Sequence, residues 1–322
     1  MKQTGKLVTV IPKLTEAQRN KIRDACAEAG YTAFFFPDTE SAVQAVPDAK
    51  IVFTAGPELI ERMPQLKWQC TTNAGVNAFA SIEAVRSGRV LLTNSSGAYG
   101  VTIAEHIVMV LLEVLRRQSE YREIVSKKEW TRNLPVRSIH GSTIVLFGTG
   151  DIGQTALRRL RAFEPKEIIG VNRSGTNPEH LFDRVLTNEE LDHVLPNADI
   201  LILALPATKQ TVHILNKERI SSLKDGAVIV NVGRGSTIDQ AALFEQLKQQ
   251  RLYAALDVFE QEPIPHDDPL WDCPNLLITP HVAGDTSLPY TVERIVELFL
   301  EDFAHYVRQE PMERLIDITR GY

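Results

Sequence analysis

The stretch that decides the fold runs Val145-Leu-Phe-Gly148-Thr-Gly150-Asp-Ile-Gly153, an apolar run that ends in three glycines spaced G-x-G-x-x-G. In this pattern Gly148 permits a tight turn after a strand, Gly150 lets backbone approach a pyrophosphate, and Gly153 lets a helix pack closely on the strand. Three glycines in six residues can also mark a plain turn. Here a strand-like run precedes them and a helix-like stretch follows, so the segment predicts a dinucleotide-binding unit with phosphates at the helix N-terminus.

Size and composition are those of an ordinary globular protein with room for two domains. The chain has 322 residues, of which 43% are hydrophobic and 24% charged. Its net charge of -6 spreads over both halves, so no nucleic-acid partner is expected. Three widely spaced cysteines predict a reducing, cytoplasmic location without disulfides, and no Cys or His spacing predicts a metal site. The most apolar helix candidate is too short and too charged to span a bilayer, so no membrane partner is expected.

Strand-like and helix-like stretches alternate along almost the whole chain, which favours parallel sheets covered by helices. The first series predicts five strands, Leu7–Ile11, Tyr31–Phe36, Ile51–Thr54, Trp68–Thr71 and Val90–Thr93. The second predicts six, Thr143–Phe147, Glu167–Val171, Ile200–Leu205, Ala227–Val232, Tyr253–Val258 and Leu276–Thr279.

A helix candidate, Leu288–Arg308, follows the second series with no further strands to serve. The simplest account is that the chain returns to its first domain. The predicted fold class is therefore α/β with two domains: a Rossmann doubly wound parallel sheet over residues 99–285, and a flavodoxin-like, discontinuous substrate domain from residues 1–98 and 286–322. Ligand is expected in the cleft between them.

Two features raise the question of a dimer. The helix candidate Val101–Arg117 starts with Thr102-x-x-Glu105, a capping-box pattern, and is apolar around most of its circumference. Burial between the domains and a homodimer interface explain this equally well. Trp130 either packs on that helix, which we favour, or reaches the pocket of a partner.

The end of the second Rossmann strand bears on the cofactor. An acid about 20 residues past the glycines normally binds the ribose 2′-hydroxyl of NAD. Here the strand ends in Asn172-Arg173-Ser174. Arg can grip a 2′-phosphate with several donors and Ser can add one more. We therefore expect NADP(H) to be preferred, with NAD(H) as the alternative. In the plainer interpretation Arg173 is a solvated loop residue and Asn172 alone binds the ribose.

Three later strands each end near an unusual polar residue. Arg234 lies between two glycines, Glu262 follows a strand that ends near Asp257, and His281 follows the last strand. Singly, each has an ordinary structural explanation: a helix cap, a surface acid or a core histidine. Ligands of doubly wound sheets bind outside the carboxyl ends of strands, so together they suit carbonyl reduction next to a carboxylate.

At this point the chain resembles the D-isomer-specific 2-hydroxyacid dehydrogenase family, which includes glyoxylate/hydroxypyruvate reductases and phosphoglycerate dehydrogenases. The matching segments are Asn73-Ala-Gly-Val76, Thr102-Ile-Ala-Glu105, Gly148–Gly153, Asn231-Val-Gly-Arg-Gly235, Leu256-Asp-Val-Phe-Glu-Gln-Glu-Pro263 and Thr279-Pro-His281. The resemblance covers essentially the whole chain. The departure is Asn172, where NAD-using members have an acid, and this again points to NADPH-using reductases.

The resemblance implies a role for each matching residue. Arg234, Glu262 and His281 are the implied catalytic residues, and the implied substrate-carboxylate loop is Ala74, Gly75 and Val76. Asp257 is the implied partner of the nicotinamide carboxamide. The full set of expected cofactor contacts is Gly148, Gly150, Asp151, Ile152, Gly153, Asn172, Arg173, Ser174, Leu205, Pro206, Val232, Asp257 and Gly284.

The implied mechanism transfers a hydride from the nicotinamide to the carbonyl carbon of a 2-oxo acid. His281 would donate a proton to the oxygen, Glu262 would fix the His281 ring, and Arg234 would hold the carboxylate and polarise the carbonyl. Asn73, Tyr99 and Asp285 are further candidates for lining the pocket of the substrate side chain.

Two alternatives remain open at this point. The first is an NAD(H)-sensing, corepressor-like binding protein, since such proteins resemble the same family. The chain has no extended basic tail that would favour this. The second is a phosphoglycerate dehydrogenase. A phosphorylated substrate needs basic residues in its pocket, and the loops Thr71–Asn77 and Ser95–Gly100 contain none.

Overall fold

The computed structural model of the chain describes residues 5–177 and 180–317. The chain splits into two compact units, one formed by Met1–Tyr99 together with Thr286–Tyr322 and the other by Gly100–Asp285. We call them the outer unit and the inserted unit. The sequence prediction placed the first boundary after residue 98 and the second after residue 285.

The elements alternate as expected for an α/β protein. The strands are β1 (Gly5–Val10), β2 (Tyr31–Phe35), β3 (Ile51–Thr54), β4 (Trp68–Thr71), β5 (Leu91–Thr93), β6 (Thr143–Phe147), β7 (Glu167–Val171), β8 (Arg184–Leu186), β9 (Ile200–Leu203), β10 (Val228–Asn231), β11 (Tyr253–Leu256) and β12 (Leu276–Ile278). The α-helices are α1 (Glu16–Glu28), α2 (Thr39–Ala45), α3 (Glu83–Arg86), α4 (Gly100–Leu115), α5 (Gln118–Ser126), α6 (Asp151–Leu160), α7 (Lys217–Ser222), α8 (Gln240–Lys248) and α9 (Pro289–Arg308).

The outer unit is built on a five-stranded parallel sheet in the order β2-β1-β3-β4-β5, the flavodoxin-like order. Helix α9 returns to this sheet from the far end of the chain. Its Phe299 ring stacks on Phe53 of β3 and on Trp68 of β4, with centroids 4.2 and 5.5 Å apart. These aromatic rings bury a large apolar area, so α9 supplies an essential part of this core.

The inserted unit contains a seven-stranded parallel sheet in the order β12-β11-β10-β9-β6-β7-β8. Five consecutive residues of β6, Thr143–Phe147, are all buried, as expected for a central strand covered on both faces. The chain leaves β6 toward β7 and β8 on one side and continues on the other side with β9. The order therefore reverses between β6 and β9, and ligands of doubly wound sheets bind at this switch point.

Four predictions about this region are wrong. The inserted sheet has seven strands rather than six, because the three-residue β8 begins with a charged arginine and was not recognised. Helix α4 begins at Gly100, so Thr102 lies inside the helix instead of capping it. The helix also stops at Leu115, because Arg117 adopts the left-handed conformation with φ of 56°. Trp130 is 90% exposed, which excludes packing on the helix.

Candidate active site

The glycine loop forms the sharp connection between β6 and α6. Gly148 has φ of +99°, and a Cβ there would lie 2.7 Å from the carbonyl oxygen of Ala204. A Cβ on Gly153 would lie only 2.0 Å from the carbonyl oxygen of Gly148. Both glycines are therefore required by the approach of backbone to backbone, whether or not a ligand is bound.

Gly150 differs from its two neighbours in the motif. It is the N-cap of α6, with φ of -79°, and no side chain caps the helix. A Cβ at this position would meet nothing within 4 Å. Packing thus gives no reason for a glycine here, whereas an anion bound at the uncapped helix N-terminus does. The cradle therefore fits the pyrophosphate of a dinucleotide.

Three other predicted cofactor residues, Asp151, Leu205 and Pro206, lie close to the glycine loop or to the turn at Arg234. The carboxylate of Asp151 lies against the first residue of α4, since a Cβ on Gly100 would be 2.6 Å from its Oδ2. Leu205 follows β9 at the switch point, and its backbone nitrogen and oxygen would lie 2.7 and 2.6 Å from a Cβ on Gly233. Pro206 accepts a hydrogen bond from the Thr211 hydroxyl at 2.6 Å. The predicted cofactor residues Leu205 and Pro206 thus border the glycine loop and the Arg234 turn.

The Asn172 side chain is engaged in shaping its own loop. Its Nδ2 donates to the hydroxyl of Thr149 and to the carbonyl of Thr176, both at 2.8 Å. Its Oδ1 accepts from the backbone N–H groups of Ser174 and Gly175 at 3.1 and 2.7 Å. Asn172 thus ties the β7 loop to the glycine loop. Arg173 next to it is exposed, and its guanidinium has no ion pair among the residues that the structure describes.

Arg234 follows β10 and lies between two buried glycines. Its Nη1 donates to the carbonyl of Gly233 at 2.7 Å. Burial lowers the pKa of Arg234 from its usual value, and the Glu262 carboxylate opposes this effect. The guanidinium remains charged because its ordinary pKa is so high. A partly buried positive charge therefore lies near Glu262.

Glu262 and His281 form a close pair. The Nδ1 of His281 lies 2.6 Å from Oε2 of Glu262, and the other oxygen of Glu262 accepts from the backbone N–H of Phe259 at 2.9 Å. With a carboxylate as acceptor, Nδ1 carries a proton. The Glu262 carboxylate is thus anchored to backbone and orients the His281 ring, whose side chain is 53% exposed.

Asp257 is buried, with 2% exposure, and holds the loop that contains His281. Its Oδ1 accepts from the Thr279 hydroxyl at 2.6 Å and from the N–H of Val282 at 2.9 Å. Its Oδ2 accepts from the N–H of Ala283 at 2.9 Å. The role implied by the resemblance, contact with the nicotinamide carboxamide, stays a prediction. In the structure described here the carboxylate organises the chain that leads to Gly284.

The predicted substrate loop, Ala74–Val76, belongs to the outer unit. The side chain of Asn94 donates to the carbonyl of Ala74 at 2.7 Å, and the buried hydroxyl of Tyr99 donates to the carbonyl of Thr72 at 2.6 Å. The carbonyls on this side are thus occupied, while the N–H groups of Gly75 and Val76 stay a predicted carboxylate site. Tyr99 was predicted to line the substrate pocket. In the structure its hydroxyl holds the loop in place.

Sequence reasoning missed three supporting residues, His106, Thr279 and Asn94. Thr279 belongs to the matching segment Thr279-Pro-His281, and His106 belongs to the helix candidate Val101–Arg117. A single sequence does not show that these two residues are in contact. Asn94 could have been noticed as a polar residue at the end of β5, where buried side chains with donors often hold loops.

The geometry first defines a class. An uncapped helix N-terminus at the switch point of a doubly wound sheet, followed at later strand ends by an arginine and a Glu–His pair, defines a dinucleotide-dependent oxidoreductase. Residues 108–283 match the model of the D-isomer specific 2-hydroxyacid dehydrogenase NAD-binding domain. The chain belongs to the D-isomer specific 2-hydroxyacid dehydrogenase family.

Individual relatives agree with this. A glyoxylate/hydroxypyruvate reductase B from Enterobacter sp. (strain 638) is 32% identical over 234 residues, which are 71% of each chain. A D-isomer specific 2-hydroxyacid dehydrogenase family protein from Aeromonas salmonicida subsp. salmonicida is 30% identical, with a TM-score of 0.85 over 98% of this chain and 100% of that one. An NADPH-dependent glyoxylate/hydroxypyruvate reductase from Sinorhizobium meliloti, solved with NADP and sulfate, is 27% identical with a TM-score of 0.79 over 99% and 100%.

The predictions of family, fold class and enzyme class are therefore confirmed: the protein is a 2-hydroxyacid dehydrogenase that uses a nicotinamide cofactor and acts on a small molecule. In residues 5–177 and 180–317, no helix is long and apolar enough to cross a membrane. Over the same residues, no group of three or more His, Cys, Asp or Glu side chains could hold a metal ion.

Proposed function

We propose that the protein reduces small 2-oxo acids of the glyoxylate and hydroxypyruvate type to D-2-hydroxy acids, with NADPH as the preferred cofactor. The observation that carries the proposal is the contact of 2.6 Å between His281 Nδ1 and Glu262. It occupies Nδ1, so Nε2 serves as the proton donor. A bound nicotinamide supplies the hydride, and His281 supplies the proton that completes the hydroxyl group.

Each of the other residues supports this reaction by charge or position. Glu262 accepts the Nδ1 proton of His281 in a hydrogen bond and so orients the ring. Arg234 pairs with the substrate carboxylate and stabilises the negative charge that grows on the carbonyl oxygen. Backbone N–H groups of Gly75 and Val76 bind the other carboxylate oxygen. The glycine loop would hold the pyrophosphate at the N-terminus of α6.

The cofactor preference rests on the loop after β7. Residues 172–177, which begin this loop, include no acid that would repel a 2′-phosphate, and Asn172 uses its side chain to shape the loop. Arg173 is exposed, while the hydroxyls of Ser174 and Thr176 lie 2.7 Å apart beside it. One cation and two hydroxyls suit a phosphate monoester. The S. meliloti reductase solved with NADP supports the same preference.

The test is an initial-rate panel of glyoxylate, hydroxypyruvate, pyruvate and 3-phosphohydroxypyruvate, each with NADPH and with NADH. We expect the highest kcat/KM for one of the first two with NADPH. Arg173→Ala should lower kcat/KM with NADPH much more than with NADH. The matched control is Arg184→Ala, which removes an arginine from β8 that is paired with Glu167 at 3.2 Å and should affect both cofactors equally.

The panel also separates the alternatives. Equal or better kcat/KM with NADH contradicts the cofactor preference. A preference for 3-phosphohydroxypyruvate identifies the phosphoglycerate dehydrogenase class. Binding of NADPH without turnover of any substrate contradicts the proposed reaction and favours a cofactor-sensing protein.

The protein is further proposed to act as a homodimer in the cytoplasm. Three exposed apolar residues follow α4: Val125, Trp130 and Val136, exposed by 67%, 90% and 47%. Nearby, the buried Nη2 of Arg137 has no hydrogen-bond partner in the described parts of the chain. A second copy of the chain would cover the three apolar side chains. The mass of one chain is 36.0 kDa, and light scattering should give twice that mass. Trp130→Ser should weaken the dimer. The location rests on three buried free cysteines.

A further inference from the structure

A partly buried chain of hydrogen bonds runs from α4 to the loop of His281. The Nε2 atom of His106 lies 3.2 Å from the hydroxyl of Thr279, which lies 2.6 Å from Oδ1 of Asp257. The His106 side chain is only 10% exposed. The direct distance from His106 Nε2 to Asp257 Oδ1 is 3.9 Å, so Thr279 is the link between them.

Chemistry fixes the direction of each bond in this chain. Both Asp257 oxygens accept backbone N–H groups, as a carboxylate does, so Thr279 must donate its single proton to Oδ1. The Thr279 oxygen can then only accept, and His106 Nε2 must carry the proton it donates. Burial lowers the pKa of His106 below its usual value, and Asp257 opposes this effect. A neutral ring with its proton on Nε2 satisfies both conditions.

At its Asp257 end, this series of hydrogen bonds continues to three consecutive backbone N–H groups, those of residues 281–283. His281 donates to the Asp257 carbonyl at 2.9 Å, and Val282 and Ala283 donate to its carboxylate at 2.9 Å each. His281 itself has φ of 54°, a left-handed conformation that side chains other than glycine rarely adopt. Such a conformation persists only when its surroundings hold it. Asp257 provides that hold.

We propose that His106 and Thr279 are positioning residues that act through Asp257 to keep residues 281–283, and with them the ring of His281, in the geometry for proton donation. The proposal rests on the proposed function in one respect, that His281 is the proton donor. The hydroxyl of Thr279 and the N–H of His106 prevent the Asp257 carboxylate from turning away from the loop. His106, Thr279 and Asp257 act through the His281 loop and do not themselves contact the reacting atoms.

The kinetic test removes the hydroxyl while keeping the shape. Thr279→Val should lower kcat by about 10- to 100-fold, the effect of a small displacement of a catalytic group, with KM for the 2-oxo acid little changed. Thr279→Ser, which restores the hydroxyl, should recover most of the lost kcat. Thr143→Val makes the same change at the start of β6, at the opposite end of the sheet, and should leave kcat unchanged. A kcat like that of the wild type in Thr279→Val, or no recovery in Thr279→Ser, overturns the proposal.

The role of His106 is tested by coupling. His106→Leu removes the donor and should reduce kcat, while His106→Gln offers an N–H near the same place and should recover part of it. Because both residues act along one chain, the double variant His106→Leu/Thr279→Val should be no slower than the slower single variant. Effects that multiply instead would show that the two residues act independently, which contradicts the chain.

A final measurement does not depend on turnover. Hydrogen exchange of the Val282 and Ala283 N–H groups, followed by NMR, should quicken by about tenfold in Thr279→Val, since opening of the loop becomes easier. The amides of β6 should be unaffected. If the wild-type protein reduced no 2-oxo acid, the proposed function would fail, while exchange would still test the positioning. Unchanged exchange at both amides overturns the inference whatever the activity.

Discussion

Alanine at Gly153 and alanine at Gly150 add the same methyl group to one loop, and the structure gives them opposite outcomes. At Gly153 the new Cβ would lie 2.0 Å from the carbonyl oxygen of Gly148 and 2.9 Å from Cδ2 of Leu146. Real Cβ contacts stay beyond 3.0 Å, so the start of α6 must withdraw by at least 1.0 Å. Overpacking usually destabilises a protein by about 1–3 kcal/mol. Because the clash here is with backbone, we expect Gly153→Ala to lower the free energy of unfolding by about 3 kcal/mol.

At Gly150 the same methyl group meets nothing within 4 Å, and φ of -79° suits alanine. Gly150→Ala should therefore keep the stability of the free protein or raise it by about 0.4–1 kcal/mol through the unfolded state. Its methyl group would occupy the open space at the helix N-terminus, where a pyrophosphate would approach. A clash of about 1.4–2.7 kcal/mol there corresponds to a loss of about 10- to 100-fold in cofactor affinity.

The assay is a pair of measurements on each variant: thermal unfolding without cofactor, and titration with NADPH followed by its fluorescence. For a unit of this size, a loss of 3 kcal/mol lowers Tm by about 6–12 °C. Gly153→Ala should show that drop, whereas Gly150→Ala should keep the wild-type Tm and bind NADPH weakly. If Gly150→Ala instead binds NADPH like the wild type and unfolds early, the loop is a plain structural turn and the cradle assignment is wrong.

Three further predictions concern charged and titrating groups. Arg234→Lys keeps the charge but loses the planar pair of donors, so KM should rise and kcat should fall while Tm stays near wild type; unchanged kinetics with a lowered Tm would make Arg234 a structural residue. His281→Ala should lower kcat by about 10²–10⁴ with NADPH affinity nearly intact, and a wild-type kcat would exclude it as the proton donor. Because burial lowers the pKa of His106 in the folded chain, the unfolded chain binds more protons below pH 6.5, and stability falls as pH falls through that window. Urea unfolding should show a shallower fall for His106→Gln, and parallel curves would contradict the burial of a neutral ring.

Sequence patterns predicted the parts of the fold that repeat a local rule. Buried parallel strands such as β6 read as continuous apolar runs, and the glycine spacing located the switch point. The patterns failed where a tertiary contact decided the structure. Strand β8 has three residues, too few for a periodic signal, and lies at the edge of the sheet next to β7. Helix α5 has no buried residue, so its sequence lacks the apolar stripe by which a helix is predicted.

The candidate site shows the same division. Residue types at strand ends predicted Arg234, Glu262 and His281, since their chemistry is readable one residue at a time. What a side chain touches is not readable in this way. Asn172 was considered for the ribose, yet its side chain closes its own loop through contacts that include Thr149, 23 residues earlier. Thr279 and His106 are 173 residues apart, and only the folded chain brings them together.

The insertion of one unit into the other has a consequence for biosynthesis. The 186 residues of Gly100–Asp285 separate the five strands of the outer sheet from the helix α9 that covers them. At roughly 5–20 residues per second, a ribosome needs on the order of 10–40 s to make that stretch. During this time Phe53 and Trp68 lack the Phe299 ring that stacks on them. The unit that is synthesised first is therefore the last to be completed, because its sheet receives α9 only after the inserted unit has been made.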